Sequence, residues 1–190
     1  MLDQLSLSLN IIVLQTQLNL PILAYMVLAL WVTFFISRVF PPILLLGIIP
    51  RTLHGLPGII FAPLLHGSFN HLFFNTIPLL VLANFILIGG LNYFIFVTLF
   101  ITITSGALVW CFGKPGIHIG ASAVITGYWA LLVTDIFQQG SLTAIILGLI
   151  SAYYFAGIFF GIFPTQKGVS WEGHLFGLLS GVLLGYWVLT

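Results

Sequence analysis

Trp171-Glu172-Gly173-His174-Leu175-Phe176-Gly177-Leu178-Leu179-Ser180-Gly181-Val182-Leu183-Leu184-Gly185 is the stretch that decides the fold of this 190-residue chain. It is apolar enough for hydrocarbon, yet a histidine stands near its start. Glycine recurs at every fourth position, at Gly173, Gly177, Gly181 and Gly185. On a helix that spacing lays the glycines along one face, beside His174. Small residues in such a row let two helix backbones approach closely within a membrane. Packing is the simplest use of the row; a consequence is that His174 comes within reach of a partner helix.

The rest of the chain matches this stretch. Hydrophobic residues make up 61% and charged residues 4%, where a soluble domain carries about 25% charge. The charged positions are Asp3, Arg38, Arg51, Lys114, Asp135, Lys167 and Glu172. So few charges cannot cover a surface in water, so the surface faces lipid. A net charge of +1 without a basic run gives no nucleic-acid footprint. The single Cys111 excludes an internal disulfide and a multi-cysteine metal site; its apolar setting reads as a small packing residue. The N-terminus shows neither a basic n-region nor a small-residue cleavage site, so the first long apolar segment reads as a retained anchor.

A membrane-spanning helix needs about 20 apolar residues. Six segments qualify, at 20–40, 71–88, 91–112, 121–137, 142–163 and 172–189. Glycine, proline and glutamine turns separate them, at Gly89-Gly90, Gly113–Gly116, Gln138–Gly140 and Pro164–Gly168. Residues 1–19 mix Leu and Ile with Gln, Ser and Asn and read as an interfacial or flexible lead-in to the membrane domain, 20–190. Residues 41–65 hold five prolines, Pro41, Pro42, Pro50, Pro57 and Pro63. They are too broken for a straight span and too apolar for a loop in water, which predicts a loop partly submerged in the bilayer interface.

Two residues stand out chemically. An ionisable side chain inside a span marks a functional site by default, and His174 is a candidate general base, a role that requires the neutral imidazole. Ser122 follows the glycine-rich turn before the fourth span, near a helix N-terminus. Backbone N–H groups there lack intrahelical partners and favour negative charge. A nucleophile at that point places its developing oxyanion beside its own N–H. In the second span His71 and Asn75 lie four apart on one face, and both can donate hydrogen bonds from neutral forms. His66 reads as a structural hydrogen-bonder at the helix entrance. The histidines His54, His66, His71, His118 and His174 are potential metal ligands, but no His-Glu-x-x-His occurs and no acid neighbours a second ligand at helical spacing. No metal and no cofactor is expected.

Three motifs, His66-x-x-x-x-His71-x-x-x-Asn75, Gly120-x-Ser122-x and Gly173-His174-x-x-Gly177-x-x-x-Gly181, stand in this order on the expected helices. Together they resemble the rhomboid family of intramembrane serine proteases, over roughly residues 50–189. The resemblance implies an all-α membrane protein, a rhomboid-like bundle of six transmembrane helices with a long, partly embedded first loop. It implies a Ser122–His174 dyad, and an oxyanion hole from His71, Asn75 and the Ser122 N–H. It implies cleavage of transmembrane protein substrates by a multi-pass protein of the plasma or inner membrane. The alternative is a weak or inactive rhomboid-like protein that binds transmembrane clients. A small channel or transporter is disfavoured, because the polar residues cluster at one end instead of lining a path.

Three features depart from the family pattern. Ala123 stands where glycine is commonest. Thr126 stands where an aromatic ring usually packs on the catalytic imidazole. The family topology would also put Arg38, Arg51, Lys114 and Lys167 outside the cell, against the positive-inside bias.

Overall fold

The computed structural model describes residues 2–163 and 170–187. In chain order its helices are α1 (Leu2–Val39), α2 (Gly58–Phe61), α3 (Phe69–Leu87), α4 (Leu91–Phe112), α5 (Ser122–Gln138), α6 (Leu142–Tyr154), α7 (Gly157–Phe160) and α8 (Trp171–Trp187). Short 3-10 turns at Pro41–Leu46, Leu53–Gly55 and Ala62–Leu64 occupy the connection from α1 to α3. The proline steps explain why this connection coils in single turns, since each removes a donor and fixes φ. Among the described residues the only extended pairing is the bridge between Ile48 and His118, which exchange N–H···O bonds of 3.0 and 2.8 Å. That bridge ties the connection to the loop between α4 and α5.

Three helices, α1, α3 and α4, are long and apolar enough to cross a membrane. Helices α5, α6 and α8 are shorter, at 17, 13 and 17 residues. The predicted segments at 71–88, 91–112 and 121–137 coincide with α3, α4 and α5 to within two residues. The segment at 172–189 coincides with α8 up to Trp187, and residues 188–189 lie outside the described residues, as does the turn Pro164–Gly168 with Lys167.

Other boundaries differ. Residues 2–19, expected as an interfacial or flexible lead-in, are helical and continuous with the first apolar segment through Pro21. Asn19 Nδ2 donates to Asn84 Oδ1 at 3.0 Å, and Asn84 Nδ2 donates to Thr16 Oγ1 at 2.8 Å. These bonds hold the N-terminal half of α1 against α3. The predicted helix 142–163 breaks at Phe155, whose φ of −116° and ψ of 18° leave the helical region, before the short α7. Gly157 and Gly161 lower helix propensity there, and α5 grips the end of α6 through Trp129 Nε1, which donates to the Ser151 carbonyl at 3.0 Å. Cys111, expected as a packing residue, is exposed. It lies in the last turn of α4, where its backbone carbonyl accepts from Arg51.

Helix α5 forms the centre of the molecule. Val124, Ile125, Tyr128 and Leu131 are buried together with Leu72 and Leu82 of α3, Val97 and Ile101 of α4, and Leu184 of α8. Its longest interface is with α8, along the glycine row. A Cβ at Gly177 would collide with the Ala123 carbonyl oxygen, and one at Gly181 with the Gly127 carbonyl oxygen. One at Gly185 would lie 2.7 Å from Thr134 Cγ2. The two backbones are therefore in direct contact from their first turns onward.

Candidate active site

Helix α3 begins where the Ser68 side chain accepts the His71 N–H at 3.2 Å, an N-cap that fixes the entrance of the helix. His71 then lies in the first turn and Asn75 one turn later. His66 lies just before the helix and is fully buried. Its ring meets His71 edge-on, with centroids 4.9 Å apart. Its Nε2 pairs with Asn75 Nδ2 at 3.1 Å, so His66 accepts from the amide and restrains the Asn75 side chain. Burial, assisted by neighbouring His71, pulls the His66 pKa down to about 4, which keeps the ring neutral and able to accept this bond.

The α5 entrance packs against this pair. Gly120 holds a φ of +118°, which glycine adopts without strain. A Cβ there would fall 2.6 Å from both Cε1 and Nε2 of His71, and 3.5 Å from Asn75 Nδ2. Only a glycine backbone fits so close to the two donors. The Gly120 N–H itself is held by the Ala62 carbonyl at 2.8 Å. Ser122 is the first residue of α5, and its cap Ala121 offers no side-chain acceptor. As an N-terminal helix residue, Ser122 presents a backbone N–H with no intrahelical partner.

Helix α8 brings His174 to the same place. Ala123 packs on Gly177, and a Cβ at Gly173 would sit 3.9 Å from that of Ala123, so the first turns of α5 and α8 face each other. Ser122, His174, His71 and Asn75 all line one open cleft of ≈ 1030 Å³. The two pairs are thus brought together at one end of the bundle. Among the described residues no hydrogen bond joins Ser122 to His174; His174 Nδ1 instead donates to the Ser170 carbonyl at 3.1 Å. That bond places the proton on Nδ1 and leaves the lone pair on Nε2, the tautomer a base requires.

Thr126 does not reach the imidazole. It is fully buried, and its Oγ1 donates back to the Ser122 carbonyl at 2.8 Å. Gly161, just beyond α7, lies against the imidazole instead: a Cβ there would be 2.6 Å from His174 Cδ2 and 2.9 Å from Nε2. Gly161, Ser170 and His118 are residues the sequence reading did not assign to the site. Ser170 could have been found as a helix cap, because it stands just ahead of the apolar run. Gly161 carried no local signal.

Three cations, Arg38, Arg51 and Lys114, also gather at this end. Arg38 donates to the Gly67 carbonyl at 2.9 Å, beside the cleft. Arg51 donates to the carbonyls of Gly113 at 2.9 Å and Cys111 at 3.2 Å, which are left open at the end of α4. The Lys114 ammonium lies 5.2 Å from the Trp171 ring centroid.

Residues 54–190 match the rhomboid domain as a family model. The chain belongs to the rhomboid family. Uncharacterised proteins of Mycobacterium bovis and Mycobacterium tuberculosis are 42% identical to it over 150 residues, which is 74% of this chain and 62% of theirs. An uncharacterised protein of Mycobacterium leprae is 41% identical over 139 residues, 68% of this chain and 55% of its own. The chain therefore spans less than two thirds of the length of these relatives. Its long apolar helices and its family make it an integral membrane protein.

Proposed function

We propose that this protein is an intramembrane serine endopeptidase acting on transmembrane helices, with Ser122 as nucleophile and His174 as base. The observation that carries the reading is the convergence of Ser122, His174, His71 and Asn75 on one cleft, with the Gly120 backbone against both α3 donors. Ser122 Oγ attacks the scissile carbonyl as His174 Nε2 takes its proton. The oxyanion is met by the Ser122 N–H, His71 and Asn75. The imidazolium returns the proton to the leaving amine, and water then hydrolyses the acyl-enzyme by the same route. Each oxyanion donor contributes about 3–4 kcal/mol in the transition state.

In this reading α5, α6 with α7, and α8 complete a six-span bundle around the site. The outward Leu53, Ile60 and Phe61 lie in the connection that dips into the bilayer interface. The membrane is the plasma or inner membrane.

The test is cleavage of a membrane-anchored reporter by the protein in liposomes, alongside labelling by a fluorophosphonate. Ser122→Ala and His174→Ala are each expected to abolish cleavage, and Ser122→Ala to abolish labelling. Cleavage that survives Ser122→Ala overturns the assignment. A second reading, a rhomboid-like protein that holds transmembrane clients without cutting them, draws on the missing Ser122–His174 hydrogen bond and on Thr126. It predicts client capture with neither product nor label.

A further inference from the structure

A serine–histidine dyad lacks the third residue that orients the base in a triad, and here Thr126 turns away from the imidazole as well. Something else has to fix the ring. A chain of hydrogen bonds runs to it from the loop between α4 and α5. His118 Nε2 lies 2.9 Å from the Lys114 carbonyl, His118 Nδ1 lies 2.7 Å from Ser170 Oγ, and His174 Nδ1 lies 3.1 Å from the Ser170 carbonyl. Ser170 Oγ also takes the Gly173 N–H at 3.2 Å, which caps α8.

The directions follow from which atoms can donate. A carbonyl only accepts, so His118 donates from Nε2 to Lys114. Neutral His118 then carries its lone pair on Nδ1, and the Ser170 hydroxyl donates to it. The hydroxyl accepts from Gly173 with its remaining capacity. The Ser170 carbonyl, whose place is set by these two bonds, accepts from His174 Nδ1. Every donor and acceptor from the Lys114 carbonyl to His174 Nδ1 is matched, and each imidazole has its tautomer imposed by a backbone carbonyl. His118 is itself anchored, because its backbone forms the bridge to Ile48.

We propose that His118 and Ser170 are positioning residues that hold the His174 imidazole as the Nδ1–H tautomer, aimed at Ser122, through this Lys114–His118–Ser170–His174 chain. The proposal rests on the protease reading for its kinetic consequence only. His118 and Ser170 line the same cleft as Ser122, and in this role they act through His174 rather than on the substrate.

Two measurements test it. The first is the imidazole 15N spectrum of the histidine-labelled protein in detergent. His174 is expected as the Nδ1–H tautomer and His118 as Nε2–H, and His118→Ala and Ser170→Ala are each expected to shift the His174 ring signals. A His174 ring in the Nε2–H form, or one whose signals ignore both substitutions, overturns the proposal whether or not the protein cleaves anything. The second is kinetic. His118→Ala and Ser170→Ala are each expected to lower kcat by about 10- to 100-fold with KM little changed, the cost of a misplaced catalytic group. Ser170→Thr keeps the hydroxyl and is expected to restore most of the rate. The double variant His118→Ala/Ser170→Ala is expected to be no slower than the slower single, because one chain is broken once. Multiplying effects, or equal losses in Ser170→Ala and Ser170→Thr with thermal stability intact, overturn it. Wild-type protein that shows the expected tautomers but no Ser122-dependent cleavage refutes the protease reading and leaves the positioning chain standing.

Discussion

At the scale of single residues, the site depends on rings held neutral and on space kept empty. His66 is the clearest case of the first. Its pKa of about 4 lies below the usual 6.5 because the charged form is buried and faces His71. With the folded value depressed, the unfolded chain takes up the proton first as pH falls. The neutral ring costs nothing above pH 6.5, and stability is lost progressively between 6.5 and 4, by about 3 kcal/mol at the lower limit for a shift of this size. Unfolding of the wild type in detergent from pH 7.5 to pH 5 is expected to show this loss. His66→Gln, which can still bond Asn75 but does not titrate, is expected to show a shallower dependence; parallel curves refute the assignment.

Gly161 is the case of empty space. Its φ of −64° and ψ of −16° suit any residue, so Gly161→Ala adds no backbone strain. The new methyl would lie 2.6 Å from His174 Cδ2, and the ring or the loop must move. Fluorophosphonate labelling of Ser122 is expected to slow about tenfold or more, with the melting temperature little changed. Ser122, His174, His71 and Asn75 stood out in the sequence as candidates because each is a polar group at helical spacing in apolar surroundings, and the structure puts all four on one cleft. Gly161 gave no such signal, since its role comes from its contact with the His174 ring of α8. Thr126 marked a missing contact without showing what replaced it.

At the scale of elements, the glycine row makes a graded prediction. Alanine at Gly177 or Gly181 drives a methyl into a backbone carbonyl of α5, which cannot yield without separating the helices. Each substitution is expected to cost about 1–3 kcal/mol and to suppress labelling of Ser122. At Gly185 the neighbour is the Thr134 methyl at 2.7 Å, a side-chain atom, so the loss is expected to be smaller. At Gly173 the nearest atoms are Ser170 Oγ at 3.4 Å and Ala123 Cβ at 3.9 Å, ordinary contacts. Gly173→Ala is expected to leave stability unchanged or raise it slightly through better helix propensity. Thermal unfolding of the four variants tests the order, and a uniform loss would show that the row is not read position by position.

The row and its face were fully legible, because helical periodicity is local. The ends of the elements were less so. Proline at position 21 suggested a boundary, but α1 continues through it, with Asn19 and Asn84 bonding across to α3. The break at Phe155 has a local part in Gly157 and Gly161, while the bond from Trp129 of α5 to the Ser151 carbonyl lies outside any helical window.

At the scale of the whole molecule, charge distribution and orientation meet. Arg38, Arg51 and Lys114 sit at the cleft end, and each is engaged there with carbonyls or with Trp171. The positive-inside bias arises from cations in short loops during insertion. Here the cations also hold the connection and the end of α4 in place, a duty that keeps them at the cleft whichever way the protein faces. Their count is therefore a weak guide to orientation, and the family arrangement, with the cleft outside the cytoplasm, is the one to test. Cys111 supplies the probe. It is the single cysteine of the chain, it is exposed, and its carbonyl is bonded by Arg51 at the same end as the cleft. A membrane-impermeant maleimide added to intact spheroplasts is expected to label Cys111, and a cytoplasmic thiol control is expected to stay unlabelled. Labelling that appears only after the membrane is opened puts the cleft on the cytoplasmic face. In that case the three cations follow the positive-inside bias after all, and candidate substrates must present their cleavage sites from the cytoplasm.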